Sequence, residues 1–275
     1  MRLSQQACKL SALTRCEKAA VIHDWKMEVY WRLPVFVQEA ALTFYAGHLD
    51  KIYYGDGYEE WRRWYQLCRS WSRDEAQAWQ NEQLRLLIEL AATRVAYYRS
   101  RWQGLEWRSV RTAAQLNLLP TLDKQSIRQN ELQFLVEGVS SKSLWVEKTS
   151  GTTGTSLTIY WPKSMVSKWW AVTETMVRNV AGLAQHMPRA MMGGRPIIRG
   201  SAKQPPYWRY NRRWKQLYLS SYHVSPRTAP AYVTALRKYG SKWITGYGSA
   251  IAALATSALE AGLEPVPLRA AIVSG

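Results

Sequence analysis

Seven consecutive positions, Thr149-Ser150-Gly151-Thr152-Thr153-Gly154-Thr155, are all hydroxyl-bearing or glycine, and they connect two short β-like runs at 144–148 and 157–161. Glycines let the backbone take left-handed conformations, so successive amides can converge on one anion. The hydroxyls add neutral donors that can follow a shifting charge. A plain hairpin turn would explain glycine and serine, but hardly four threonines. No Gly-Lys-Ser/Thr follows, so the run is not a Walker loop. The chemistry it suits is the binding of phosphate.

A second stretch, 199–215, is basic and aromatic, most densely at Tyr207-Trp208-Arg209-Tyr210-Asn211-Arg212-Arg213-Trp214-Lys215. Bases stack on rings and arginines meet phosphates on single-strand nucleic-acid platforms. The plainer reading is a basic loop that packs its aromatics on the domain, and no recognised nucleic-acid module surrounds it. Glu59, Glu60, Asp74 and Glu75 look like solvated helix charges, not a catalytic carboxylate pair. Cys8, Cys16 and Cys68 match no zinc spacing, and His23, His48, His186 and His223 are far apart, so no protein-held metal is expected.

The composition, 47% hydrophobic and 21% charged over 275 residues, suits a globular chain with a sizeable core. A formal charge of +17 favours anionic partners such as nucleotides, nucleic acid or acidic lipid surfaces. No apolar run is long enough to span a bilayer, and Lys9, Arg15, Glu17 and Lys18 break up any signal-peptide core. A cytoplasmic protein is the expectation.

The elements that must position these residues change in texture along the chain. Helices are predicted at 35–46, 58–69, 73–101, 110–117 and 123–129, the long one opened by a Ser72/Glu75 capping box and Asp123 capping the last. From about residue 142, strand candidates at 189–192, 196–199, 216–220, 242–245 and 269–273 alternate with helices at 163–183, 226–239 and 249–261. That alternation implies βαβ units and a largely parallel sheet.

Thr149–Gly154 resembles the phosphate loop of the adenylate-forming, acyl-CoA synthetase-like superfamily. The ordered set that follows narrows this to the phenylacetate–CoA ligase/CapK-like branch, which includes capsular-polysaccharide biosynthesis proteins and deazaflavin-adenylating synthetases. The set comprises Leu33–Gln38, Tyr97-Tyr98-Arg99, Leu119–Lys124, Pro205–Asn211, Ser220–His223, Gly246–Ala250 and Ala271–Gly275. The resemblance implies an α/β fold. A helical amino-terminal part (33–141) would precede part of the large domain (142–275), with a mixed, mostly parallel sheet flanked by helices. Residues 1–32 match nothing in it and are read as a candidate non-native extension.

What the resemblance implies chemically is ATP-dependent adenylation of a carboxylate, then acyl transfer to coenzyme A or another acceptor, with Mg²⁺ in the complete enzyme. Thr149, Ser150, Thr152, Thr153 and Thr155 would be phosphate donors, with Gly151 and Gly154 shaping the loop. Ser274 and Gly275 would begin the adenine pocket, and Tyr222, His223, Gly246 and Tyr247 are acyl-pocket candidates. For His223 a turn histidine bonded to backbone is an equal alternative, and for Tyr247 a half-buried loop tyrosine. The family's Pro-Lys after the loop is Ser156-Leu157 here, and Gly248 stands where relatives carry proline. The later adenine, Mg²⁺ and lid motifs lie beyond Gly275, so the expectation is a truncated chain that cannot complete catalysis alone. The alternative function is a basic protein that holds nucleic acid or an anionic polymer through 199–215. Acyl substrate and oligomeric state are not legible.

Overall fold

The computed structural model describes residues 27–149 and 156–274. It divides into two compact units, one joining the chain up to Leu49 with the chain from Leu183 onward, the other Asp50–Gly182. The fold is mixed α/β, as the sequence implies, although this division cuts across the boundary expected near residue 142.

The first unit is built on a five-stranded sheet of β3 (Arg189–Met192), β4 (Trp208–Asn211), β5 (Gln216–Leu219), β6 (Trp243–Tyr247) and β7 (Ala270–Ser274), in the order β4-β5-β3-β6-β7. β3 pairs in parallel with β5 and β6, and β6 with β7; only the β4–β5 hairpin is antiparallel. Helices α7 (Ala229–Lys238) and α8 (Gly248–Glu260) connect the parallel strands. Their apolar faces and the sheet close a core of Ala190, Met192, Leu217, Leu219, Tyr232 and Leu236, with Ile244 and Leu254. On β3, β5 and β6 both faces are covered, and buried positions do not simply alternate.

One expectation fails in this unit and one strand was not foreseen. Residues 196–199 form no strand, because Pro196 lacks an amide donor and the segment bends away after β3. The strand missed was β4, inside the basic aromatic stretch. Its Arg209 is 6% exposed and Tyr207 4%, so neither can serve a solvent-facing nucleic-acid platform. The edge of β4 is covered by α1 (Val35–Tyr53): Tyr210 N–H donates to Glu39 Oε1 at 3.0 Å and Arg212 N–H to Thr43 Oγ1 at 3.2 Å. One helical turn between Glu39 and Thr43 nearly matches the rise of two strand residues, so alternate edge amides find side-chain acceptors.

The second unit is mainly helical: α2 (Tyr58–Cys68), α3 (Arg73–Arg94), α4 (Ala96–Arg101), α5 (Lys124–Gln129) and α6 (Lys163–Val172), plus the hairpin β1 (Trp145–Lys148) and β2 (Thr158–Trp161). The Ser72/Glu75 capping box is present on α3, and Asp123 caps α5. The helix expected over 73–101 breaks at Val95, which turns extended (φ −115°, ψ 112°) and bridges Val136. That over 163–183 stops at Val172 and gives way to a π-helical turn, Thr173–Arg178, where Glu174 and Arg178 pair at 2.8 Å, both buried. The 110–117 helix is a 3₁₀ turn at Ala113–Leu118. Among the described residues, no helix is long and apolar enough to cross a membrane.

Candidate functional site

The hydroxyl-rich run joins β1 to β2, whose antiparallel register ends at Lys148↔Thr158. One further rung closes beyond it. Thr149 N–H donates to Leu157 O at 3.0 Å, and Leu157 N–H donates to Thr149 Oγ1 at 2.9 Å. The Thr149 hydroxyl therefore works first as an acceptor that ties the hairpin neck, with its own hydrogen left as a donor. Ser150, Gly151, Thr152, Thr153, Gly154 and Thr155 lie outside the described residues, as does Gly275.

In the first unit the remaining candidates come together. β3, β5, β6 and β7 run parallel, so their carboxyl ends share one edge, the edge at which open α/β sheets bind ligands. The segment 193–200 leaves β3 there, Ser220–His223 leaves β5, Gly246-Tyr247-Gly248 closes β6, and Ser274, paired in register with Tyr247, ends β7.

A 3₁₀ turn, Ser221–His223, is hung on the 193–200 segment by three bonds: Ser221 Oγ to Gly193 O at 3.0 Å, Tyr222 Oη to Gly194 O at 2.6 Å, and His223 Nε2 to Gly200 O at 3.2 Å. Because a carbonyl only accepts, His223 Nε2 must carry the hydrogen; in the neutral ring Nδ1 then accepts from Ser220 Oγ at 2.8 Å. Its ring stacks on Tyr207, centroids 5.5 Å apart. Both nitrogens of His223 are thus engaged and one ring face is covered.

Tyr222 and Tyr247 remain exposed, at 63% and 44%, and both converge on Gly194. Tyr222 bonds its carbonyl, while a Cβ at Gly194 would stand 2.9 Å from Tyr247 Cε2. Gly246, at φ 139°, lets β6 approach β3 so closely that a Cβ there would meet Met192 O at 1.9 Å. The result is two phenol rings over a glycine floor, suited to an apolar or aromatic group with a polar end. Sequence reasoning missed Gly193 and Gly194; the signal available was a glycine pair directly after an apolar β-like run.

No family model matches the chain. It is 29% identical over 153 residues to Protein CapK of Staphylococcus aureus, an alignment that spans 56% of this chain and 33% of that protein. Among solved structures, it is similar to 2-hydroxyisobutyryl-CoA ligase in complex with 2-HIB-AMP and CoA in the thioesterification state. That match has 16% identity and a TM-score of 0.49, over 74% of this chain and 44% of that one. An open conformation of the same ligase gives 16% identity and a TM-score of 0.47, over 74% and 48%. The chain thus spans a third of the curated relative and under half of the ligase chains it matches. Over its 153 aligned residues the chain is similar to CapK, a protein of the kind its motifs resemble.

Proposed function

We propose that the chain carries the nucleotide-phosphate and acyl-binding portions of an ATP-dependent, carboxylate-adenylating ligase. The observation that carries this reading is the Thr149–Thr155 run, joining two strands whose neck is tied by the Thr149–Leu157 rung. In such a reaction a carboxylate oxygen attacks the α-phosphorus of ATP, the bond to the bridging oxygen breaks, and pyrophosphate leaves. The acyl-adenylate then passes its acyl group to a nucleophile, for which the thiol of coenzyme A is the reading's acceptor. The demand on the protein is to stabilise charge that moves onto the leaving phosphates, which preorganised hydroxyls and amides meet. Tyr222 and Tyr247 flank the acyl group, with Ser274 on the adenine side. No step is assigned to Mg²⁺, which nucleotide sites hold mainly through the phosphates themselves.

Calorimetric titration of ATP into the full chain tests the reading. Saturable binding is expected, weakened about tenfold or more by Thr152→Ala with Thr153→Ala as hydroxyl donors to charged oxygens are removed. No heat with ATP, or the same affinity in the double variant, overturns it.

A further inference from the structure

In the first unit a cleft of about 380 Å³ is lined by Glu28, Trp31, Arg32, Arg199, Gly200 and Ser201. Its volume is that of a small-molecule site. Its polar chemistry is lopsided. Arg32, Arg199 and Trp31, all donor-bearing side chains, line it against a single carboxylate, Glu28.

Two of those donors are stranded. Arg199 Nε and Trp31 Nε1 are shut off from water and meet no acceptor among the described residues. Groups of this kind are rare in folded proteins and signal a missing partner. The Arg199 fork shows which partner. Glu28 Oε2 takes Nη2 at 2.8 Å, and Nε is left over. A planar guanidinium is built to give two parallel N–H bonds to one oxyanion, so Glu28 uses Arg199 incompletely. Arg32 adds a further positive charge on the exposed side.

We propose that this cleft binds a small phosphate monoester, whose phosphate displaces Glu28 from Arg199, takes the Nε–Nη2 fork and is neutralised by Arg32. Glu28 is the internal competitor that holds the guanidinium in place until the ligand arrives. The stranded donors expose no surface to water, so binding reorients Trp31 and Arg199 and brings the indole N–H onto a ligand oxygen. The site does not rest on the adenylation reading, and loss of ATP binding leaves it untouched.

The test follows the indole N–H resonances of the full ¹⁵N-labelled chain at constant ionic strength, with the Trp31 signal assigned from Trp31→Phe. Inorganic phosphate and glucose 6-phosphate are titrated, with acetate as the carboxylate arm. The expected result is a saturable shift of the Trp31 signal with both phosphates and little with acetate. Arg32→Gln and Arg199→Gln should each weaken binding about tenfold, and Glu28→Gln should tighten it. If Arg199→Gln disturbs the other indoles, the exposed Arg32→Gln decides. A Trp31 signal that never moves, moves without saturating, or moves alike in every variant overturns the proposal.

Discussion

Arg209 Nε donates to Gln38 Oε1 at 2.7 Å with both side chains almost fully buried, at 6% and 2% exposed, and Gln38 passes its own Nε2 hydrogen to Leu33 O at 2.8 Å. A full charge in the core is thus held by a neutral amide and by the carbonyls of Pro206 and Trp208. Burial depresses the guanidinium pKa, an effect that nearby Tyr30 and Glu39 oppose.

Gln38→Leu keeps the volume and removes the acceptor. It should cost about 2–3 kcal/mol, because a donor on a buried charge is left unmet. Adding Arg209→Met should recover part of that loss, since apolar groups of similar size often replace buried charge at little cost. Urea denaturation of the two single variants and the double checks this, and additive losses would refute the coupling. The same geometry means that Arg209→Ala reports on the core, whatever it does to nucleic-acid binding.

Two glycines at the sheet edge should respond differently to one added methyl. At Gly246 a Cβ meets the Met192 carbonyl oxygen, a backbone atom, at 1.9 Å, and φ 139° is a conformation that side chains rarely adopt. Gly246→Ala should therefore cost more than ~3 kcal/mol or prevent folding. At Gly194 the obstacle is the outer ring edge of the half-exposed Tyr247, which can swing away. Gly194→Ala should cost less than ~1 kcal/mol while it alters the tyrosine rim. Thermal melts of the two variants separate these outcomes, and equal losses would show that the strand approach is not tight.

How much of this was legible follows physical lines. The Ser72/Glu75 box could be read because a capping pair is local, and the parallel core because strands covered on both faces are continuous apolar runs. β4 could not: Trp208-Arg209-Tyr210-Asn211 has the composition of a basic loop, and the partner of the buried Arg209 Nε is Gln38, 171 residues away. Residues 196–199 misled for the opposite reason, apolar content without pairing. At the site, the tyrosines and His223 were legible as residue types between elements. The contacts of His223 with Ser220, Gly200 and Tyr207 were not legible, because spacing says nothing of them.

Stability should fall in alkali through buried tyrosines. Burial, chiefly, pushes Tyr30 up to about 12 from 10.0; Glu39 and Tyr218 add to this and Arg209 opposes it. Burial raises Tyr232 as well, and Tyr207 adds to it. The folded state keeps these protons while the unfolded chain gives them up near pH 10, so the unfolded state binds fewer protons above that point. The contribution is thus fully present below about pH 10 and is lost as pH rises through about 12. Tyr30→Phe should flatten the fall over that window. Urea midpoints measured at stepped alkaline pH check it, and an unchanged slope in the variant would count against Tyr30.

Gly248 opens α8, and the residue before it, Tyr247, sits at φ −68° and ψ 126°, the extended region that a following proline requires. Proline at the first helical position has its φ preset and gives up an amide that the helix does not use. A Cβ at Gly248 would stand 3.7 Å from Val273 Cβ, an ordinary contact. Gly248→Pro should therefore stabilise the chain by about 0.5–1 kcal/mol, through fewer conformations of the unfolded chain. It should also leave Tyr247 in place, because the extended backbone it needs is the one already adopted. A chemical-denaturation curve moved to higher urea supports this. A shift to lower urea would mean that the Gly248 amide makes a bond the sheet edge needs, and that the glycine is required there.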